Sequence, residues 1–356
     1  MTGTNATNKS LAHLYQTLAN CSGQLDASGD WPSEQLRLLG ATGVYTWFIP
    51  KHLGGQGWSE PELLKAYVDL ARSCLSTSFI LTQRQGAMGR IAAAENEFVR
   101  DSLLPGLLSG ETFATVGISH LTTSRRHLAR PILHAVETAD GFLLDGQSPW
   151  VTGAGHAQHV VTGATLDDGR QILVALPTDL PGVSAPPPER LVALSASHTG
   201  PLICERVLVD RCWVLAGPVH EVMKQGLAAR TGGLQTSALA LGLTSAALEF
   251  LRNECAQRPD LIPPADNLES DYELLSGDLF ALAEGCGGAT ADDIRSRANS
   301  LVLRATQATL AAAKGAGFVA GHPAGRWCRE ALFFLVWSCP QNVLAANLCE
   351  LAGLAD

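Results

Sequence analysis

Trp150 and Thr152 are the side chains whose types and spacing fit chemistry together. They stand in residues 140–154, DGFLLDGQSPWVTGA. Asp140-Gly141 is a tight-turn signal after an alternating run, so the stretch reads as a hairpin entering a strand. Phe142, Leu143 and Leu144 follow, and Asp145-Gly146 reads as a second turn. Residues two apart on a strand share a face. A large flat ring beside a hydroxyl can then cover one face of a planar cofactor and hydrogen-bond its edge. A core Trp with a neighbouring Thr gives the same pattern, and the two residues alone favour that plainer reading. A basic cluster, Arg125, Arg126, His127 and Arg130, reads as a solvated loop or as an anion contact for a substrate or cofactor phosphate.

The elements that must position these residues fall into three parts. At 356 residues the chain is too long for one ordinary core. Residues 1–110 read as an N-terminal helical domain with a disordered tail at 1–10. Leu14, Leu18 and Leu25 mark one apolar helical face. Further helices are expected over 35–39, 60–75, 78–94 and 98–108, with a Gly-rich turn, GGQG, at 54–57. Residues 111–218 form a central β-domain, a small barrel or sandwich, with short alternating runs broken by Gly and Pro. Residues 219–356 return to a helical pattern. Leu234, Ala238, Leu241, Ser245 and Leu248 make a seam for bundle packing. A Pro-rich connection follows Arg258-Pro259, then helices over 272–284, 290–313 and 325–354 complete a four-helix bundle.

Composition narrows the partners. The chain is 46% hydrophobic and 17% charged, which fits a large buried interior or subunit contacts. Twenty-five Lys and Arg against 34 Asp and Glu give a net charge of −9, which argues against nucleic acid or an anionic membrane. The nine cysteines are scattered, odd in number and without a C-x-x-C pair, so buried thiols in a reducing cytoplasm are expected and no metal site. The polar start shows no signal peptide, and no run of about eighteen apolar residues suggests a membrane span.

Gly146, Trp150, Val151 and Thr152 also fall in the register of a G-x-x-x-W-I-T-N-G segment. In this the chain resembles the acyl-CoA dehydrogenase family, and the resemblance covers most of its length. WPSEQLRLLGATGVYTWFIPKHLGGQG is similar to the family's opening helices and glycine turn. LSASHTGPLICERVLVD, at 194–210, keeps a Ser and a Thr of a G-x-R-x-S-x-T stretch at Ser197 and Thr199. Gly242 and Arg258 fit a bundle helix. Residues 311–343 carry Gly315, Gly317, Phe318, Pro323, Arg326, Arg329 and Ala331 at the family's spacing, with Glu330 for its Asp. The resemblance implies an α+β multidomain fold with FAD as cofactor. Trp150 would lie against the flavin and Thr152 would face its reactive nitrogen. Phe113 and Thr122 belong to the first flavin segment, FATVGISHLTT. Arg258, Gly315 and Gly317 would serve a pyrophosphate shared with a neighbouring subunit in a homodimer or homotetramer.

The same register shows departures. Val116 and Gly117 replace a Thr and a Glu of the first flavin segment, and His120 is new there. The Glu that takes the substrate's α-proton in the family falls at Ser338, within Trp337-Ser338-Cys339-Pro340. A Ser hydroxyl without a partner base cannot do that near neutral pH. The alternative base position of some members falls at Gly232, and the Arg that follows it there falls at Gly233. Ala311, Lys314 and Pro340 also break the pattern. Three functions are therefore carried forward. One is an FAD-dependent oxidoreductase lacking the usual Glu, with His120 as a relocated base and an acyl thioester as substrate class. Another is a flavin monooxygenase of the same superfamily. The third, of another class, is a non-catalytic flavin-binding or assembly subunit.

Overall fold

The computed structural model describes residues 2–122, 131–224 and 233–354, with side chains described from Ser10 onward. The basic cluster at Arg125, Arg126, His127 and Arg130 lies outside the described residues, as does Gly232.

The first part is helical. Helix α1 (Thr2–Ser28) begins inside the stretch expected to be disordered. Once the Leu14, Leu18 and Leu25 face is buried, extending a nucleated helix costs little per residue. Helix α2 (Ser33–Ala41) leads to the glycine turn, where Gly54 and Gly57 have φ of 85° and 60°. A Cβ on Gly55 would sit 1.9 Å from the Ile49 carbonyl oxygen, so close backbone approach fixes that turn. Helix α3 (Glu60–Ser73) opens with a Ser59–Glu62 capping box. Helices α4 (Leu75–Ala93) and α5 (Glu97–Ser109) follow, the second capped by Asn96. Arg84 of α4 is fully buried and stacks on Tyr45, 3.5 Å from the ring centroid. Its guanidinium also donates to the carbonyls of Leu107 and Thr112, tying α4 to the end of α5.

The middle part is an eight-stranded sheet. Its strands are β1 (Ala114–Gly117), β2 (Leu133–Glu137), β3 (Gly141–Thr152), β4 (His159–Thr165), β5 (Gln171–Pro177), β6 (Val183–Ser184), β7 (Thr199–Asp210) and β8 (Val214–Val219). The order is β6-β7-β3-β2-β4-β5-β8, with β1 parallel to β4. A short helix, α6 (Ser119–Thr122), follows β1. Ala114 and Val116 pack with Ala87, Met88 and Ile91 of α4 and Leu104 of α5, so β1 joins the sheet to the first helices. The Asp140-Gly141 hairpin forms between β2 and β3. The second turn expected at Asp145-Gly146 does not: β3 runs straight through it, with a register shift between Leu144 and Gly146. Gly146 has φ of 126°, and a Cβ there would lie 2.2 Å from the Ile132 carbonyl. The glycine therefore marks a bulge against a neighbouring strand rather than a chain reversal.

The last part is the bundle: α7 (Gln235–Cys255), α8 (Ile262–Ala283), α9 (Ala291–Gly317), α10 (Pro323–Ala331) and α11 (Gln341–Leu351). Helix α8 begins about ten residues earlier than expected, because Pro263 and Pro264 occupy first-turn positions where no N–H is needed. The single helix expected over 325–354 is two helices. A 3₁₀ turn, Leu332–Leu335, and a break at 336–340 separate them, with Ser338 at φ 45° and Pro340 ahead of α11. Gly242 of α7 lets α3 approach closely: a Cβ there would be 2.5 Å from the Val68 carbonyl.

Candidate functional site

The end of β3 is built by a bulge and a tight crossing. Between Ser148 and Val151 the register with β7 slips by one residue. Pro149 stands in the slip, where it has no N–H to give the ladder. Trp150 projects from this bulge with 53% of its surface exposed. Thr152, two residues on, is buried. Its Oγ1 lies 3.0 Å from Thr199 Oγ1, and Thr199 Oγ1 lies 2.8 Å from Ser197 Oγ. Three buried hydroxyls thus form one chain. The Gly153 N–H donates to the carbonyls of Ser197 and His198, at 3.0 and 3.1 Å. Gly153 itself has φ of 66°, and a Cβ there would strike the Trp31 ring at 2.5 Å. Only glycine fits this place on both counts.

The sequence reading missed what holds this corner. Trp31, between α1 and α2, stacks on His156 at 4.2 Å with planes 7° apart, and meets Phe113 edge-on at 5.3 Å. His156 Nε2 is 2.9 Å from His198 Nδ1. His198 Nε2 is 3.0 Å from the Gly29 carbonyl. A carbonyl only accepts, so His198 carries its proton on Nε2 and receives His156 through Nδ1. Burial, and then His198, hold the His156 pKa below the usual imidazole value. Leu194 and His198 both have positive φ, 62° and 45°, strain of the kind that surrounding contacts must hold in place. A cavity of about 280 Å³ lies beside the pair, bordered by Gly155, His156, His198 and Pro186, Pro187 and Pro188. Local spacing could not reveal this cluster, because its members come from four distant segments. The one clue was that His198 sits inside the Ser197–Thr199 stretch.

Other expected residues fall elsewhere. Phe113 donates its N–H to Gln158 Oε1 at 2.7 Å and packs on Trp31. Thr122 ends α6, and its side chain lies outside the described residues. His120, also on α6, is buried, with Nε2 2.7 Å from the Gly163 carbonyl. That carbonyl fixes the proton on Nε2, so Nδ1 presents a buried lone pair without a partner. Burial lowers its pKa, leaving a neutral ring.

In the bundle, Arg258 donates to the Ala312 carbonyl at 2.6 Å and pairs with Asp260 at 3.5 Å. It thereby sits against the end of α9, where Lys314 kinks the helix at φ 54° just before Gly315 and Gly317. Open space surrounds Gly315, whereas a Cβ on Gly317 would press Ala313 at 2.7 Å. Ser338 is exposed on its turn. The turn is held from below by Arg295, which is buried and donates to the carbonyls of Phe334 and Trp337 at 3.1 and 2.8 Å. Trp337 stacks on Phe333 and meets Phe79 edge-on.

Glu330 is the buried carboxylate among the described residues. It lies 3.6 Å from Arg326, while the adjacent Arg329 grips Asp26 of α1 at 2.5 and 3.0 Å. Burial pushes Glu330 up to about 7 against the pull of Arg326. All nine cysteines are free thiols. Among the described residues no cluster of His, Cys, Asp or Glu could hold a metal, and no helix is long and apolar enough to cross a membrane.

Comparison with known proteins follows this architecture. The family model "Acyl-CoA dehydrogenase, N-terminal domain" matches residues 13–111. A probable acyl-CoA dehydrogenase of Bacillus subtilis (strain 168) is 27% identical over 254 residues, 69% of this chain. The match spans just under two thirds of that relative, 66%. The human mitochondrial short-chain specific acyl-CoA dehydrogenase is 24% identical over 255 residues, 69% of this chain and 61% of its own length. Among solved structures, a glutaryl-coenzyme A dehydrogenase bound to glutaryl-CoA shares the fold with a TM-score of 0.83 at 19% identity, over 98% of this chain and 96% of that one. A glutaryl-CoA dehydrogenase from Mycobacterium smegmatis in complex with FADH2 does so with a TM-score of 0.81 at 18% identity, over 99% and 95%. The matched N-terminal domain, the curated relatives and the three-part fold agree: the chain belongs to the acyl-CoA dehydrogenase superfamily.

Proposed function

We propose that this chain is an FAD-dependent oxidoreductase that works without the carboxylate base usual in its family. The observation that carries the reading is the end of β3. There a half-exposed indole stands two residues before a buried hydroxyl chain that holds one more proton than it can use internally. Three O–H groups and two contacts leave one O–H for an acceptor outside the chain. A planar ring with acceptor nitrogens on its edge fits both features. Trp150 would cover its face and Thr152 would donate to its edge. Bound there, flavin would supply a two-electron acceptor. Gly315 leaves room for a backbone-hugging phosphate near Lys314, and Arg258 braces the same helix end. In the reading, a second copy of the chain brings that end to the flavin site, giving a homodimer or homotetramer.

A small molecule, with an acyl thioester the class the relatives suggest, is the proposed substrate. Ser338 brings a hydroxyl and no base, and Glu330 is enclosed by arginines rather than open to a ligand. A positioned base contributes about 10²–10⁴-fold. Its loss raises the barrier by roughly 3–5 kcal/mol. Saturated acyl-CoA thioesters should therefore reduce the FAD-loaded protein slowly. Anaerobic mixing with butyryl-CoA or glutaryl-CoA, followed by the visible spectrum, tests this. Rapid bleaching by the wild type would overturn it and direct attention to His120, through His120→Ala. Ser338→Glu should raise the rate.

The non-catalytic subunit remains the second reading, and one observation favours it. The Arg258 guanidinium is already engaged by the Ala312 carbonyl and Asp260 within its own chain. A protein that binds no FAD decides for that reading. Substrate-dependent oxygen consumption by the reduced protein, with no thioester oxidation, decides for a monooxygenase.

A further inference from the structure

We infer that Thr199 and Ser197 are positioning residues for the flavin site, through a hydroxyl relay that turns the Thr152 O–H outward. The inference rests on the flavin reading above and adds residues that the Trp150–Thr152 pair does not include.

The chain Ser197 Oγ, Thr199 Oγ1, Thr152 Oγ1 has contacts of 2.8 and 3.0 Å and can run in two directions. If Thr152 donates to Thr199 and Thr199 to Ser197, the spare O–H is on Ser197. Ser197 is fully buried, and Thr199 is the partner of its hydroxyl. That direction strands a donor in the interior, which is unfavourable. If Ser197 donates to Thr199 and Thr199 to Thr152, the spare O–H is on Thr152, itself buried but at the strand end, two residues after the half-exposed Trp150. In the flavin reading the ring edge lies at Thr152, so only the second direction gives the spare donor an acceptor.

The backbone holds the relay in place. Gly153 N–H spans the carbonyls of Ser197 and His198, and Thr152 pairs with Thr199 in the β3–β7 register. His198, between the two relay hydroxyls, is anchored to Gly29 and His156. The turn therefore cannot swing away without breaking contacts to both neighbouring segments. In this direction Thr152 receives a hydrogen bond from Thr199 and keeps its own O–H to give. Such pairing polarises each O–H in the chain, so removing a distant hydroxyl weakens the terminal donor.

The test compares four proteins: wild type, Thr152→Val, Thr199→Val and Thr199→Ser. FAD affinity is read by quenching of flavin fluorescence, and the ring environment by the position of the visible band. Circular dichroism confirms folding. Thr199→Val should bind FAD roughly 2- to 10-fold more weakly and shift the band in the same sense as Thr152→Val. Thr199→Ser should restore both, because it returns the hydroxyl without changing the turn. If Thr199→Val fails to fold, Ser197→Ala carries the same comparison and should shift the band in the same sense by less. Wild-type affinity and band position in Thr199→Val, or in Ser197→Ala where that is used, would overturn the relay while leaving the flavin reading intact. A wild type that binds no FAD would overturn both, and is told apart by the first titration alone.

Discussion

Trp150 is the residue on which the flavin reading leans hardest, and it is unusual for an indole to stand half open on a strand. Trp150→Ala should leave the fold unchanged, since the ring covers no core, and should weaken FAD binding roughly 3- to 10-fold through lost stacking. Equal retention by both proteins in a flavin titration would contradict the role. Glu330 makes a different kind of prediction. Its folded pKa, about 7, lies above the ordinary carboxylate value because of burial. The folded state therefore holds its proton more tightly than the unfolded chain does. The stability this gives is present below the unfolded value and is lost as pH rises through about 7. Relative to Glu330→Gln, wild type should lose thermal stability across that window, and parallel melting curves at all pH values would refute it. Spacing singled out the Trp150–Thr152 pair because both lie in one short run, and the family resemblance singled out Ser197 and Thr199. Trp31 and His156 were not, because only the folded chain brings them together.

At the scale of elements, the hinge of interest is the contact of Trp31 and Gly29 with the two β-domain turns. His156 and His198 share one proton across 2.9 Å, and no carboxylate among the described residues is hydrogen-bonded to either ring. Burial and the neighbouring ring lower the His156 pKa. A lowered imidazole pKa gives stability that is present above the unfolded value and lost as pH falls. Amide exchange at residues 29–33 and 195–198 should therefore speed up more than elsewhere between about pH 7 and about pH 5. His156→Gln should remove the extra acceleration, and its persistence in that variant would rule out the histidine pair as the cause. The close crossing of α3 and α7 gives a plainer test. Gly242→Ala forces a methyl against the Val68 carbonyl and should cost roughly 1–3 kcal/mol, read by chemical denaturation. Unchanged stability would mean the helices separate freely. Element types were readable from period and turn residues. The errors came from punctuation: Asp145-Gly146 bends β3 without reversing it, Pro263-Pro264 opens a helix instead of ending one, and 336–340 splits a helix. Gly and Pro mark departures from regular backbone, and the tertiary neighbour decides which departure occurs.

Across the whole molecule, the three-part order of helices, sheet and bundle was plain from the change of hydrophobic period. The way the chain meets its own copies was not, because an exposed apolar residue has the same sequence signal as a buried one. Phe318 and Val319 stand open beside the α9 kink, at 86% and 65% exposure, and Leu348, Leu351 and Leu354 lie exposed on and after α11. Such surface fits burial against a second copy, which the proposed pyrophosphate site at Arg258 and Gly315 requires. Sedimentation should show a dimer or tetramer, and a monomer at working concentration would remove the shared site. The central claim is that the end of β3 receives a flavin ring, and the visible spectrum of the purified, FAD-supplemented protein after gel filtration tests it most directly. The expected result is a yellow protein whose flavin band co-elutes with the chain and is lost or weakened in Trp150→Ala. A colourless wild type, with free FAD eluting separately and no thermal shift on its addition, would contradict it.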